Sequence, residues 1–171
     1  MKNILIILFS IVSCVPLAWC TQMKSDEEKG NQIKWVDASI SVEAKLNDTE
    51  YVVNTPIILE LSIHNNSQKD IFIVQSTPFK QYKFSILDEN TNKAVPLTRW
   101  GKHVQEQDFF KRSIYKIAPG ESYSESLNIA RYFDLSFTSR YSIEIGGEYL
   151  NHSKKFVSYN LKELKFSVKE K

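Results

Sequence analysis

IILELSIH, residues 57–64 of this 171-residue chain, shows the pattern that decides the fold. Every second residue is apolar and most residues between them are polar, so that Ile57, Leu59, Leu61 and Ile63 alternate with Ile58, Glu60, Ser62 and His64. Successive side chains of a β-strand point to opposite faces, so a period of two buries one face and leaves the other in water. The segment is therefore predicted to be a half-buried strand.

The same alternation recurs along the chain, at residues 40–44, 82–86, 95–97, 114–117, 123–129, 141–145 and 164–168. Turn-forming residues separate these runs, at 54–56, 65–67, 88–93, 118–120 and 146–147. No stretch has the apolar period of an amphipathic helix of normal length. Short strands at regular spacing predict an all-β protein, a single Ig-like antiparallel β-sandwich of about seven to nine strands.

One part of this pattern carries a cluster of charges: IAPGESYSESLNIARYFDLSFTSRYSIEI, residues 117–145. The alternation predicts that its charged side chains lie on the outer face of a sheet; these are Glu121, Glu125, Arg140 and Glu144. Tyr141 follows a short turn and enters the next strand, which is typical of a tyrosine corner, where a buried phenol bonds nearby backbone. The charges therefore predict a solvated sheet face and no catalytic cluster.

The N-terminus has the layout of a secretory signal peptide. Lys2 precedes the apolar run from Ile4 to Val12, which is much shorter than the roughly 20 residues of a membrane-spanning helix. Ala18 and Cys20 place small residues at the third and first positions before a cleavage site. We predict a removed signal peptide at residues 1–20, a flexible polar lead-in at 21–32 and the folded domain at 33–171.

Both cysteines, Cys14 and Cys20, lie in this N-terminal segment. The residues before each of them partly match a bacterial lipobox, so lipidation of Cys20 or Cys14 is the alternative to simple cleavage. No pair of cysteines remains in the domain to form a disulfide. We expect a periplasmic or secreted protein, with a lipid-anchored envelope protein as the alternative.

The charge of the chain is nearly balanced, with 22 basic and 20 acidic residues. Such a balance gives no field that attracts nucleic acid or an anionic membrane, and no basic run with interleaved aromatic residues is present. We therefore expect another protein as the partner, no nucleic acid, no transmembrane span, and membrane contact only through a lipid anchor.

The residues that could carry catalytic or metal chemistry are scattered. The histidines, His64, His103 and His152, are isolated in sequence, and no cysteine of the domain accompanies them as a zinc ligand. Residues 88–92, DENTN, match the start of a calcium loop, but Lys93 stands where glycine is needed, so a polar hairpin turn is predicted. No G-x-S-x-G motif is present. The sequence predicts no enzyme, no metal and no cofactor.

The segment from Arg99 to Arg112, RWGKHVQEQDFFKR, is long for a loop between two strands. Long loops in small domains often carry function, and Trp and Arg are enriched in binding hot spots. We predict a partner-binding loop formed by Arg99, Trp100, His103, Phe109, Phe110 and Arg112. The alternative is that its aromatic side chains only cover the open end of the core.

Three segments also carry a family resemblance: NTPIILELSIHNNSQKDIFI, KAVPLTRWGK and the 117–145 segment. Together they resemble exported bacterial Ig-like domains, including the accessory domain that precedes the catalytic domain of deuterolysin-like zinc endopeptidases. Thr138-Ser139-Arg140 departs from the Pro-Gly expected there, and the H-E-x-x-H zinc motif is absent. The resemblance implies the accessory domain without its enzyme.

Three function classes follow from these observations. The first is a non-catalytic exported protein-binding or accessory module of a bacterial envelope. The second is a periplasmic protease inhibitor or toxin-immunity protein, because a rigid sandwich can present a loop to an active-site cleft. The third is an unrecognised hydrolase, which would require a histidine to meet a carboxylate and a serine in a pocket.

Overall fold

Two β-sheets packed face to face contain most of residues 31–107 and 113–171, the part of the chain that the computed structural model describes. Within that part there are eleven strands: β1 (Gln32–Val36), β2 (Ile40–Leu46), β3 (Glu50–Val52), β4 (Ile58–Asn65), β5 (Ile71–Gln75), β6 (Tyr82–Asp88), β7 (Lys93–Ala94), β8 (Ser113–Ile117), β9 (Ser122–Asn128), β10 (Ser139–Leu150) and β11 (Phe156–Lys169). Two short helices, α1 (Pro78–Gln81) and α2 (Arg99–Glu106), and a 3-10 turn (Ile129–Arg131) also belong to it. The predicted signal peptide, with Cys14 and Cys20, lies outside the described residues.

The strands form one small and one larger sheet. The first sheet has the order β1-β2-β4-β9, and the second has the order β3-β11-β10-β5-β8, with β6 pairing β10 and β7 pairing β6. The all-β sandwich predicted from the alternation is confirmed. The strands of the described chain outnumber the predicted seven to nine because alternation does not reveal strands of two or three residues, such as β3 and β7. The pairing of β3 with β11 is parallel rather than antiparallel.

The boundary of the domain also differs slightly from the predicted one. Strand β1 begins at Gln32, inside the predicted lead-in of residues 21–32. Gln32 pairs with Lys45 and Val36 with Ser41, so β1 forms an outer strand of the first sheet.

The core lies between the sheets and follows the predicted period of two. In β4, Leu59, Leu61 and Ile63 are buried, whereas Glu60 between them is exposed. The facing sheet supplies the buried side chains Tyr141, Ile143, Ile145, Leu161, Leu164, Phe166 and Val168. Full burial of an aliphatic side chain of this size contributes about 1.5–3 kcal/mol to folding. In β4 the alternation therefore identifies the face of the strand that joins the core.

The predicted tyrosine corner is confirmed. The hydroxyl of Tyr141 donates a hydrogen bond of 2.8 Å to the backbone carbonyl of Phe137. The ring of Tyr141 is buried and stacks on Phe166 with 5.4 Å between the ring centroids. The bond ties the turn before β10 to the first residues of that strand.

The predicted orientation of Glu125 is wrong. Tyr123, Glu125 and Leu127 of β9 pair with Ile63, Leu61 and Leu59, so all three point to the buried face of the sheet. The Glu125 carboxylate is half-buried and accepts a hydrogen bond of 2.6 Å from the Tyr123 hydroxyl. A period of two gives Glu125 the same face as its apolar neighbours. The other three charged side chains are exposed as predicted; these are Glu121, Arg140 and Glu144.

Buried phenols should make the stability fall at high pH. Burial, and then the charge of Glu125, raises the pKa of Tyr159 above its usual value of 10.0. In the folded state Tyr159 therefore keeps its proton where the unfolded chain releases it. Its contribution to stability is complete below about pH 10 and is lost as the pH rises towards the raised pKa.

Tyr159→Phe should accordingly make the loss of stability above pH 10 shallower by up to about 1.4 kcal/mol per pH unit. Urea unfolding at a series of alkaline pH values measures this slope. Tyr115→Phe is the matched control, because Tyr115 is 43% exposed. Equal slopes for wild type and Tyr159→Phe would contradict the expectation.

Candidate functional site

The predicted binding loop begins as a helix. Residues Arg99–Glu106 form α2, whose N-cap is Thr98; its side-chain oxygen accepts a hydrogen bond of 2.9 Å from the backbone nitrogen of Gly101. A threonine before the segment was the available sequence signal for a helix start. Phe109, Phe110 and Arg112 lie outside the described residues, so their predicted role stays a prediction.

Helix α2 is fixed to the 3-10 turn by short contacts. The hydroxyl of Thr98 donates a hydrogen bond of 2.7 Å to the carbonyl of Arg131, and the Thr98 backbone nitrogen donates to the carbonyl of Tyr132 at 2.9 Å. Gly101 is buried, and a β-carbon at this position would overlap the carbonyl oxygen of Tyr132. The helix can approach the turn this closely only because residue 101 has no side chain.

The exposed side of α2 brings aromatic and cationic side chains together. Trp100 is 45% exposed, and its ring lies 5.5 Å from the ring of His103, measured between centroids. The guanidinium of Arg131 lies over the Trp100 ring at 5.2 Å. We define the α2 surface as Arg99, Trp100, Lys102, His103 and Arg131. The structure thus brings Trp100 and His103, two residues of the predicted loop, into contact and adds Arg131, which the sequence reasoning missed.

The α2 surface carries an excess of positive charge. Arg99, Lys102 and Arg131 are exposed, and the first turn of α2 holds no acidic residue. The ion pairs within residues 31–107 and 113–171 join other groups: Lys83–Glu148, Lys116–Asp70, Lys165–Glu89, Lys165–Glu163 and Lys169–Glu50. The positive charges of this surface can therefore attract a negatively charged ligand.

A groove of about 330 Å³ begins beside the α2 surface, at Thr98 and Arg131. Its other polar side chains come from the end of β9 and from loops; they are Asn128, and Asn54, Thr55, Asp134 and Ser136. A second groove of about 710 Å³ shares Asn54, Thr55 and Ser136, and continues to Phe137, which is 67% exposed. The two grooves extend the surface from the helix towards an exposed aromatic side chain.

His64 and the calcium-like loop take structural positions. His64 Nδ1 lies 2.9 Å from the Ser122 hydroxyl on the outer face of the first sheet. Asp88 closes the hairpin between β6 and β7, accepting hydrogen bonds from the Ser139 hydroxyl and the Asn90 backbone, and these bonds lower the pKa of its carboxyl. The predicted polar hairpin is confirmed. In the described part of the chain, no three His, Cys, Asp or Glu side chains are grouped to hold a metal ion.

No helix among the described residues combines the length and the apolar composition that crossing a membrane requires. The described fold and surface define a class of β-sandwich domain that presents an aromatic and cationic patch at one end.

The family of the chain follows from comparison with known proteins. The sequence model of one protein family, the flagellar collar protein C N-terminal domain, matches residues 41–168 of the chain. The chain belongs to this family. The match runs from β2 to β11. Among solved structures, the C-terminal domain of wzt aligns with 84% of this chain and 83% of that chain, at 8% identity and a TM-score of 0.47. No curated protein matches the chain.

Proposed function

We propose that this chain is a non-catalytic accessory module that binds another protein during assembly of a flagellar collar. The observation that supports this proposal is the family match, which spans nearly the whole sandwich from residue 41 to residue 168. A collar is an assembly of proteins, so a domain of this family is expected to contact protein surfaces. The resemblance to accessory domains of deuterolysin-like zinc endopeptidases remains a prediction.

The α2 surface is the binding site that we assign to this module. Trp100 supplies a large exposed apolar area beside charged groups, and tryptophan and arginine dominate binding hot spots. The contacts of Thr98 and Gly101 hold the surface in place before a partner arrives. A pre-organised surface binds more tightly because less conformational entropy is lost on association.

Export completes the proposal. Residues 1–20 act as a signal peptide that delivers the domain to the periplasm or the exterior, with lipidation at Cys20 or Cys14 as the alternative. Intact-mass analysis of the protein from its source cells separates these outcomes. A chain beginning at residue 21 supports cleavage, and an acyl mass on a chain beginning with cysteine supports a lipid anchor.

Trp100→Ala should lower recovery of the protein with flagellar basal structures by about tenfold or more. The measurement is chemical cross-linking in the source cells, followed by isolation of these structures and quantification of the tagged chain. Phe156→Ala is the matched control, because Phe156 is 64% exposed and lies on β11. Failure of the wild-type chain to co-isolate with flagellar structures would contradict the proposal.

A further inference from the structure

We propose that the α2 surface binds an acidic segment of its protein partner, and that Arg131 receives a carboxylate of that segment. This inference rests on the proposed function, since it names the chemistry of the partner at the same site.

The first support is the position of Arg131. The central carbon of its guanidinium lies over the ring of Trp100, 5.2 Å from the ring centroid. The N–H donors of a guanidinium lie along its edge and match the two oxygens of a carboxylate. Arg131 is exposed, and no carboxylate of residues 31–107 or 113–171 forms an ion pair with it. Its N–H donors are therefore available to the carboxylate of a ligand.

The second support is the charge around this stack. Arg99 and Lys102 flank Trp100 in sequence and are exposed on the same helix, again without an ion-pair partner in the described chain. The net charge of the whole chain is only +2, so this concentration is local. Complementary charge speeds encounter and selects partners of opposite sign. A segment rich in Glu or Asp fits this surface.

The third support is the apolar and polar area beside the cations. The exposed part of Trp100 can pack against the apolar stem of a bound Glu or Asp side chain. A small inorganic anion has no such stem and would not use this area. The first groove is lined by Arg131 and Thr98, and the second adjoins it at Asn54 and Thr55 and includes Phe137. Two adjoining grooves offer space for a stretch of polypeptide that continues beyond the anchored carboxylate. These features favour a protein segment over a lipid headgroup.

The test uses two synthetic peptides and the folded domain. One peptide alternates glutamate and serine, and the other alternates glutamine and serine as the neutral control. The glutamate peptide should shift the indole NMR signal of Trp100 at low salt and lose affinity at high salt, while the glutamine peptide leaves the signal unchanged. Vesicles of phosphatidylglycerol, added separately, should not bind.

Variants assign the effect to Arg131. Arg131→Gln should weaken binding of the glutamate peptide by about tenfold, and Arg131→Lys should restore little of it, because lysine lacks the planar fork. Arg140→Gln is the matched control, since Arg140 is exposed on β10. Melting temperatures of the variants show that the fold is kept. Lys102→Gln provides a second variant at the same surface.

The inference is overturned if the glutamate peptide leaves the Trp100 signal unchanged, or if Arg140→Gln weakens binding as much as Arg131→Gln. Binding to vesicles without binding to the peptide would assign the surface to an anionic membrane instead. If the wild-type chain co-isolates with flagellar structures and Arg131→Gln does so equally well, this inference fails and the proposed function stands. Absence of co-isolation for the wild type removes the proposed function.

Discussion

Asn65→Ala is expected to lower the free energy of unfolding by about 3 kcal/mol and the melting temperature by about 6–12 °C. Asn65 is fully buried at the end of β4. Its amide donates hydrogen bonds to the carbonyls of Lys69 at 2.8 Å and Ile117 at 3.0 Å. Its side-chain oxygen accepts bonds from the Ser67 backbone nitrogen at 3.0 Å and the Ser67 hydroxyl at 2.7 Å.

The expected loss of stability is large because alanine leaves the hydrogen-bonding groups around residue 65 without the Asn65 amide as a partner. The Asn65 bond to Ile117 is itself buried, so removal of the amide leaves a buried acceptor without that partner. An unsatisfied buried polar group costs about 1–3 kcal/mol, more than the net gain from a typical hydrogen bond. The amide also connects the turn after β4 to the end of β8 in the other sheet. Its loss should therefore loosen both sheets.

Thermal and urea unfolding of Asn65→Ala measure this effect. Asn66→Ala is the matched control, because Asn66 is exposed and follows directly in sequence. The expected melting temperature of the control lies within about 1 °C of the wild type. A melting temperature for Asn65→Ala as close to the wild type as that of the control would show that the amide bonds contribute little.

Gly101→Ala is expected to cost about 3 kcal/mol, and to release α2 from the 3-10 turn. In an open helix the same change would stabilise by about 1 kcal/mol, since alanine has the higher helix propensity. Here the new β-carbon would overlap the carbonyl oxygen of Tyr132, which is backbone and cannot rotate away. The packing conflict should outweigh the gain in propensity.

Two measurements separate the change in stability of Gly101→Ala from the displacement of α2. Urea unfolding gives the change in stability, and the Trp100 indole signal reports whether the ring still lies under Arg131. Lys102→Ala is the matched control, because Lys102 is the exposed next residue of the same helix. A more stable Gly101→Ala variant with an unchanged Trp100 signal would mean that the helix does not approach Tyr132 this closely.

The sequence by itself determined the features that depend on nearby residues. The alternation of 57–64 identifies a strand and its buried face, since a strand reverses the side of each successive side chain. The tyrosine corner was predictable for the same reason, because Tyr141 bonds to Phe137, four residues before it. The hairpin at 88–93 likewise follows from local turn residues. In each case a pattern within a few positions along the chain was sufficient for the prediction.

Only the tertiary structure decided the features that depend on distant contacts. Trp100 and Arg131 are 31 positions apart, and they meet because Thr98 and Gly101 hold α2 against the turn that carries Arg131. The local sequence of α2 carries a cap but no sign of this neighbour. The contact of Gly101 with a backbone carbonyl and the position of a cation over an indole ring both arise from packing between segments. The candidate binding surface therefore exists only in the folded chain.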